Sequence, residues 1–393
     1  MDSKGVDGLT RLVARTLSRR EVATSFCATG LATVLTRFGW DDAAAACVKV
    51  GKKCGAGKKC CRGTLCKNKK CTCPDGATSC NGRCVDLKTD VTSCGVCGRR
   101  CAGTAVCLDG ACSGTNTYAF LAKWGTKGSA TGQFDAPTGL ALDASNNLYV
   151  ADENNHRVQV FTSDGAFVRT WGSFGSTDGL FNQPTDIGID SLGNVYVVDS
   201  QNNRIQKFTS LGVFTTKWGT PGSSDGQFST PLGIAINAID EVFVTDSVND
   251  RVQVFNNVGG FLRKFGTPGN GASQLDQPWG IAIDLVGNVY IADRQNDRIS
   301  KWTPDGITPI QRFGGFDLPK DIDFDLAGHC YVADTDNHEI DKNTSGGVDL
   351  SEWGFLGKAA GEFDRPSSVV VDPFGNVFVA DTNNNRIQKF VPA

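Results

Sequence analysis

Short runs that alternate apolar and polar residues recur through the chain from residue 114 to residue 393. In one copy, residues 185–190 (TDIGID), 194–198 (NVYVV), 204–209 (RIQKFT) and 213–218 (VFTTKW) are rich in β-branched and aromatic residues. Gly, Asn and Asp separate these runs, which is the pattern of strands joined by hairpin turns. No stretch of this region has an apolar stripe at helical spacing over three turns. The repeating unit is therefore predicted to be four short strands, named a, b, c and d.

Two markers repeat in phase along this region. An Asp before the turn between strands b and c returns after 47, 47, 47, 41 and 47 residues, and a Pro before strand a keeps the same intervals. Four-stranded units at this interval are typical of propeller blades. Six copies therefore predict an all-β fold, a six-bladed β-propeller. The Asp residues are Asp152, Asp199, Asp246, Asp293, Asp334 and Asp381, and the Pro residues are Pro137, Pro184, Pro231, Pro278, Pro319 and Pro366.

The first and last copies complement each other. Residues 118–124 (YAFLAKW) precede the first copy and match strand d, whereas the sixth copy has only strands a to c, within 367–391. We expect residues 118–124 to complete the last blade, because a closed ring leaves no open sheet edge. The fifth copy is short, since the segment from Gly314 to Pro319 has six residues where its counterparts have thirteen.

Three segments carry a family resemblance: 133–137 (QFDAP) before strand a, 193–199 (GNVYVVD) and 381–386 (DTNNNR). Together they resemble the NHL-repeat family, over about 118–391. The resemblance implies a six-bladed propeller. It also implies a family that includes binding platforms for proteins, RNA and glycans, extracellular sensor domains and a zinc-dependent lyase. Fold alone does not choose among these functions.

Residues 1–46 have the pattern of an export signal. Basic residues precede a modest apolar stretch at 22–36, and the alanines at 43–46 offer a cleavage site of the A-x-A type. The segment 18–20 (SRR) resembles a twin-arginine signal. The apolar stretch is too short and too polar to span a membrane. We therefore expect a secreted or cell-surface protein, with lipidation of Cys47 left open.

The cysteines support export. Of 16 Cys, 14 lie in residues 47–112, a density typical of a disulfide scaffold in an oxidising compartment. Residues 47–72 follow the spacing of a small cystine-knot module, and 73–113 contain a segment that resembles the stigma-specific-protein-like repeat. Disulfides of unassigned pairing are expected, with zinc at Cys94-x-x-Cys97 as the rival interpretation. The cysteines are Cys47, Cys54, Cys60, Cys61, Cys66, Cys71, Cys73, Cys80, Cys84, Cys94, Cys97, Cys101, Cys107 and Cys112.

Charge is divided between the two modules. Residues 47–113 hold 13 Lys and Arg against 4 Asp and Glu, whereas residues 114–393 hold 20 against 33. The basic module either contacts anionic polymers or lipid headgroups, or is merely kept soluble by its Lys residues. The acidic propeller argues against nucleic acid as its ligand.

The repeating Asp and Arg residues are interpreted as structural, because they recur in nearly every blade. A carboxylate at a tight turn can accept backbone N–H groups and pair with an Arg. His156 and His338 share one turn position and His329 lies at the opposite face, so we predict no His metal site, no cofactor and no catalytic residue. The repeating Arg residues are Arg157, Arg204, Arg251, Arg298 and Arg386, with Glu339 in the fifth copy.

Departures from the repeat select the candidate ligand-binding residues. The two positions after the marker Pro open strand a at the mouth of the central channel. Of these twelve residues, the charged and aromatic ones are Asp186, Trp279, Lys320 and Asp321. Asp186 and Asp321 belong to blades two and five, across the ring. An aromatic face, an ammonium and two carboxylates can hold a sugar, a peptide or a cation. The rival interpretation is an ordinary solvated rim.

These observations predict an exported, non-catalytic binding or adhesion protein. Its propeller loops would bind an extracellular glycan, peptide or protein. The alternative is an extracellular lyase or hydrolase with its site at the channel mouth, which a metal bound near the channel would favour. In a third interpretation the ring mainly displays the Cys-rich module. The ligand and the oligomeric state stay open.

Overall fold

The computed structural model describes residues 118–393 in full and, before them, only short strands between residues 47 and 113. The chain divides into two compact units, Met1–Leu87 and Lys88–Ala393. The export signal predicted for residues 1–46 and the side chains of the predicted disulfide scaffold lie outside the described residues. The short strands pair as Cys47–Val48 with Lys59–Cys60, Leu65–Lys67 with Lys70–Thr72, Thr78–Cys80 with Arg83–Val85, and Val106–Leu108 with Ala111–Ser113.

Six antiparallel sheets of four strands make up residues 118–393, which confirms the predicted six-bladed β-propeller. Strands a to d are Pro137–Leu142, Leu148–Asp152, Arg157–Phe161 and Phe167–Trp171 in blade one. They are Pro184–Ile189, Val195–Asp199, Arg204–Phe208 and Phe214–Trp218 in blade two. In blade three they are Pro231–Ile236, Val242–Asp246, Arg251–Phe255 and Phe261–Phe265.

The second half of the ring repeats this order. Strands a to d are Pro278–Ile283, Val289–Asp293, Arg298–Trp302 and Pro309–Gly314 in blade four. They are Asp321–Phe324, His329–Asp334, Glu339–Thr344 and Asp349–Trp353 in blade five. In blade six they are Pro366–Val371, Val377–Asp381, Arg386–Pro392 and Tyr118–Trp124. A two-residue parallel pair, Thr267–Pro268 with Gln274–Leu275, lies in the loop before blade four.

The ring closes as predicted, because Tyr118–Trp124 pairs with Arg386–Pro392 as the fourth strand of blade six. Tyr118 also reaches the neighbouring blade. Its ring stacks on Trp353 with centroids 4.5 Å apart, and its hydroxyl lies 2.6 Å from that of Tyr331. The closing strand is thus held by both backbone pairing and aromatic packing.

The core consists of six apolar clusters, one at each junction between neighbouring blades. Between blades one and two, for example, Phe181 and Phe208 pack with ring centroids 5.6 Å apart. Alternate strand residues point to opposite sheet faces, so each blade supplies one face to each neighbour. Cys330 is a buried free thiol in the cluster between blades four and five. Among the described residues, no helix is long and apolar enough to cross a membrane.

A repeated polar network ties each b–c turn to the loop before strand a. In blade two, Asp199 Oδ2 accepts hydrogen bonds from Arg204 Nε at 2.6 Å and from Gln206 Nε2 at 3.0 Å. The Arg204 guanidinium also donates to the carbonyl oxygens of Ser176, Thr177 and Leu180. The same Asp–Arg pair, 2.6–2.7 Å long, occurs in every blade except blade five. The network therefore positions the long loops on one face of the ring, called the loop face below.

Four short 3-10 turns follow the strand b Asp in blades one to four, and a fifth does so in blade six. They end at a residue with left-handed backbone, such as His156 with φ 55° and Asn203 with φ 52°. The turns are Glu153–Asn155, Ser200–Asn202, Ser247–Asn249, Arg294–Asn296 and Thr382–Asn384.

Candidate functional site

The first strands of the six blades surround a central channel with a narrow neck and a wider chamber. The neck, about 10 Å³, is lined by the two residues that follow each marker Pro, in blades one, two, four, five and six. This is about the volume of one water molecule. The chamber, about 320 Å³, lies deeper and is lined mainly by Leu, Ile, Val and Ala with Asp186, Asp321 and Asp323. A ligand larger than a water molecule that approaches from the loop face therefore cannot pass the neck.

All four predicted ligand-binding residues, Asp186, Trp279, Lys320 and Asp321, line the neck. The structure thus brings together side chains from blades two, four and five. It also divides them into two pairs with different surroundings. The two carboxylates are turned toward backbone groups, whereas Trp279 and Lys320 face each other.

The two carboxylates connect neighbouring blades. Asp186 Oδ2 accepts a hydrogen bond from the backbone N–H of Ile234 in blade three at 2.9 Å, and Asp321 Oδ2 accepts one from Val369 in blade six at 3.1 Å. Each of these Asp residues fits because the preceding blade has a Gly beside it. A Cβ atom on Gly139 would lie 2.5 Å from the Asp186 Cα. These contacts give Asp186 and Asp321 a structural role at the neck.

The channel is electrostatically unusual because it holds carboxyl groups in an apolar lining. Burial, and then the charge of Asp321, raise the pKa of Asp186 well above its ordinary value. Burial raises the pKa of Asp321 to about 6, against hydrogen bonds from the Ser368 hydroxyl and from backbone N–H groups, and burial raises that of Asp323 to about 7, against backbone N–H groups. Asp323 accepts the Val371 N–H at 2.8 Å. The lining of the channel is therefore partly protonated near neutral pH.

At the outer edge of the neck, Trp279 lies against two cations. The Lys320 Nζ atom is 4.3 Å from its ring centroid, and the Arg294 Cζ atom is 5.3 Å away. Both distances are within the range of cation–π attraction. Within residues 118–393, the Lys320 ammonium has no hydrogen-bond acceptor or ion-pair partner, and Arg294 Nε is buried without a hydrogen-bond partner.

The charges around Lys320 explain its pKa. Burial, and then the positive charges of Arg294 and Arg365, lower that pKa to about 8, while Glu153 and Asp336 act in the opposite direction. Asp336 is already paired with Arg365, since its Oδ1 atom lies 2.7 Å from the Arg365 Nη2 atom. The mouth therefore has three cations, Lys320, Arg294 and Arg365, and two carboxylates, Glu153 and Asp336. Because Asp336 is paired with Arg365, the mouth has hydrogen-bond donors available for a ligand.

The three His residues have separate structural partners. His156 Nδ1 and His338 Nδ1 each accept a backbone N–H of the next blade, from Gln183 and Arg365, at 3.0 Å. His329 Nδ1 lies 2.8 Å from Asp325 Oδ2 in the turn between strands a and b. Asn203, at the same repeat position as His156, accepts the Thr230 N–H in the same way. The His rings are thus used in turns and do not converge.

Three residues escaped the sequence analysis: Asp323, which lines the channel, and Glu153 and Arg294 near its mouth. Glu153 and Arg294 directly follow the repeating Asp, at a position where the other four blades have Ser or Thr. Asp323 stands where the other blades have Ala, Gly or Val. A search for departures from the repeat at these positions, rather than only after the marker Pro, would have found all three.

The comparisons agree with this architecture. The NHL repeat matches residues 134–161, 181–208 and 363–390, which are strands a to c of blades one, two and six with the segment before them. Residues 118–393 thus form a β-propeller with NHL repeats. The protein brain tumor of Drosophila melanogaster is 49% identical over 43 residues, which are 11% of this chain and only 4% of that protein.

Two solved enzyme structures resemble the propeller. A streptogramin B lyase matches with a TM-score of 0.51 and 15% identity, over 70% of this chain and 97% of that chain. A gluconolactonase of Xanthomonas campestris matches with a TM-score of 0.52 and 14% identity, over 66% of this chain and 87% of that chain. At such low identity the likeness shows the fold alone.

Proposed function

We propose that the protein is a non-catalytic binding module that captures a polar ligand through an anionic group at the channel mouth. The observation that carries the proposal is the Lys320 ammonium, which lies beside Trp279 and Arg294 and contacts no anionic group of residues 118–393. A partly buried cation without a partner is costly. A carboxylate or another oxyanion on the ligand would offset that cost through charge-assisted hydrogen bonds.

The narrow neck supports binding at the mouth rather than within the channel. Its volume of about 10 Å³ admits no more than a water-sized group, so the body of the ligand would rest on the loop face. Trp279 is partly exposed there and offers apolar surface. A glycan with acidic sugars, a peptide or a protein surface with a carboxylate has the chemistry to use both features.

An extracellular setting is part of the proposal. Residues 1–46 have the pattern of an export signal, and 14 Cys in residues 47–112 are typical of secreted, disulfide-stapled modules. The secreted or surface-bound chain would meet glycans, peptides and proteins as its partners. The enzymes that resemble the propeller share only its fold, so they add no support for a lyase or hydrolase activity.

The test is binding of the full-length protein to a panel of acidic and neutral glycans and peptides. Lys320→Met and Arg294→Met are compared with Lys358→Met, because Lys358 is an exposed lysine in the loop before blade six. We expect the first two variants to lose about 10–100-fold in affinity for acidic members, the range of a charge-assisted hydrogen bond. Lys358→Met should bind like the wild type.

The pH dependence provides an independent readout. Because Lys320 has a pKa of about 8, it loses its charge as the pH rises through that value, and affinity for acidic ligands should fall between pH 7 and pH 9. The proposal is wrong if acidic ligands bind the Lys320→Met and Arg294→Met proteins with unchanged affinity. Binding that persists in both variants would place the site elsewhere on the chain.

A further inference from the structure

Blade five lacks the Asp–Arg pair that all the other blades have, and it also lacks the Gln that completes the network in four of them. Its Asp334 is the counterpart of Asp199 in blade two, but Glu339 stands where Arg204 does and Asp341 where Gln206 does. Two hydrogen-bond donors, one of them a cation, are thus replaced by two acids. The same turn and strand c that elsewhere hold one carboxylate and one guanidinium here hold three carboxyl groups.

These three carboxyl groups converge. One oxygen atom from each of Asp334, Glu339 and Asp341 lies within 4.8 Å of the other two. Asp334 is 1% exposed and is held by the Asn337 side chain at 2.8 Å and by the Asp317 N–H at 2.7 Å. Asp341 keeps some exposure as a whole residue, but its Oδ2 atom is buried and has no hydrogen-bond partner within residues 118–393.

The shortened loop of blade five explains why an Arg has no role at this position. In blade two the guanidinium is held by three carbonyl oxygens of the thirteen-residue loop before strand a. The corresponding segment from Gly314 to Pro319 has six residues. Loss of the loop removes the carbonyl groups that an Arg would need, yet the Asp at the end of strand b remains. Asp334 therefore lies beside two further acids without the guanidinium that its counterparts contact.

We propose that a hard divalent cation, which we identify by its chemistry as calcium, binds to Asp334, Glu339 and Asp341 and replaces the missing guanidinium. Carboxylate oxygens are the ligands that calcium prefers, at about 2.3–2.6 Å and in flexible geometry. Three oxygens within 4.8 Å of one another can all reach one ion at about such distances. The buried Asp341 oxygen without a partner gains the ion as its partner. The ion thus links strands b and c of blade five, as the Arg does in the other blades.

The experiment compares the full-length protein, freed of metal by chelation, with and without added calcium chloride. Isothermal titration should show a saturable site, and the melting temperature should rise by about 5–10 °C at calcium 100-fold above the Kd. The test variant is Asp341→Gln. Gln is the natural residue at this position in four of the other blades, as at Gln206 and Gln388, so this variant is expected to fold. It should lose the titratable site and the calcium-dependent rise in melting temperature.

Two matched variants complete the design. Asp349→Asn removes a negative charge from an exposed position in strand d of the same blade and should keep the full calcium response. The double variant Glu339→Arg with Asp341→Gln restores the residues of the other blades and should melt at the same temperature with and without calcium. The proposal is overturned if the wild type shows no calcium-dependent shift, in which case the carboxyl groups are neutralised by protons. It is also overturned if Asp341→Gln keeps the wild-type response.

Discussion

Replacement of Arg204 by Leu tests whether the repeated polar network stabilises the blades. The Arg204 side chain is 8% exposed and contacts the carboxylate of Asp199, which is fully buried. The change removes the 2.6 Å ion pair and three hydrogen bonds to carbonyl oxygens of the loop before blade two. Loss of one partner of a buried pair costs about 3–5 kcal/mol, because the other charge stays buried. In a domain of this size, that corresponds to a melting temperature about 6–20 °C lower.

Urea unfolding and thermal melting of the full-length protein measure this loss, and amide hydrogen exchange shows whether residues 172–183 lose protection. The matched control is Arg312→Leu, since Arg312 is exposed and makes a single hydrogen bond of 3.2 Å to the Asn270 carbonyl. That control should cost less than about 1 kcal/mol. A loss below about 1 kcal/mol for Arg204→Leu would refute the reasoning. The network would then hold the loop in position without contributing to the free energy of unfolding.

Two further changes test the channel. Burial raises the pKa of Asp323 to about 7 in the folded protein, against 3.8 for the ordinary group. The folded state therefore holds the proton more tightly, and the unfolding free energy falls as pH rises from about 4 to 7. Asp323→Asn keeps an acceptor for the Val371 N–H, so it should flatten this slope and stabilise the protein at pH 8 by about 1 kcal/mol or more. Urea unfolding at pH 5 and pH 8 measures this, and an unchanged slope would contradict it. Gly280→Ala would place a Cβ atom 2.5 Å from the Lys320 carbonyl oxygen and 2.7 Å from the Asp321 Cα, and should cost about 1–3 kcal/mol. In Gly346→Ala the nearest atom is 3.8 Å away, so equal melting temperatures of the two variants would rule out crowding at the neck.

Much of the fold could be predicted because each blade is built from local pattern. Alternation of apolar and polar residues predicts the strands, and turn residues predict where they end. The six repeats place the blades, and the strand at 118–124 predicts how the ring closes. The strands and turns depend on neighbours a few residues apart. The number of blades and the closing strand could be predicted because the repeat interval and the unmatched first strand are visible in the sequence.

The candidate site could be predicted only in part. Departures from the repeat after the marker Pro found Trp279 and Lys320, which the structure places in contact. They also selected Asp186 and Asp321, whose carboxylates are turned toward the Ile234 and Val369 backbone in neighbouring blades.

Arg294 was missed because its role depends on the packing of the b–c turn of blade four over the ring of Trp279. The spacing of residues along the sequence does not predict that contact. The same is true of the way in which Asp334, Glu339 and Asp341 converge, although each substitution is visible as a departure from the repeat.

By itself, the sequence determined the class of fold, the number of blades and the way in which the ring closes. These follow from a periodic pattern of burial that each blade satisfies with its own strands and its nearest neighbours. The tertiary structure determines which polar groups have hydrogen-bond or ion-pair partners within the propeller and which are available to a ligand. That outcome depends on the closing of the ring, which brings residues of blades one, two, four, five and six to one neck. Within residues 118–393, the Lys320 ammonium has no hydrogen-bond acceptor or ion-pair partner there.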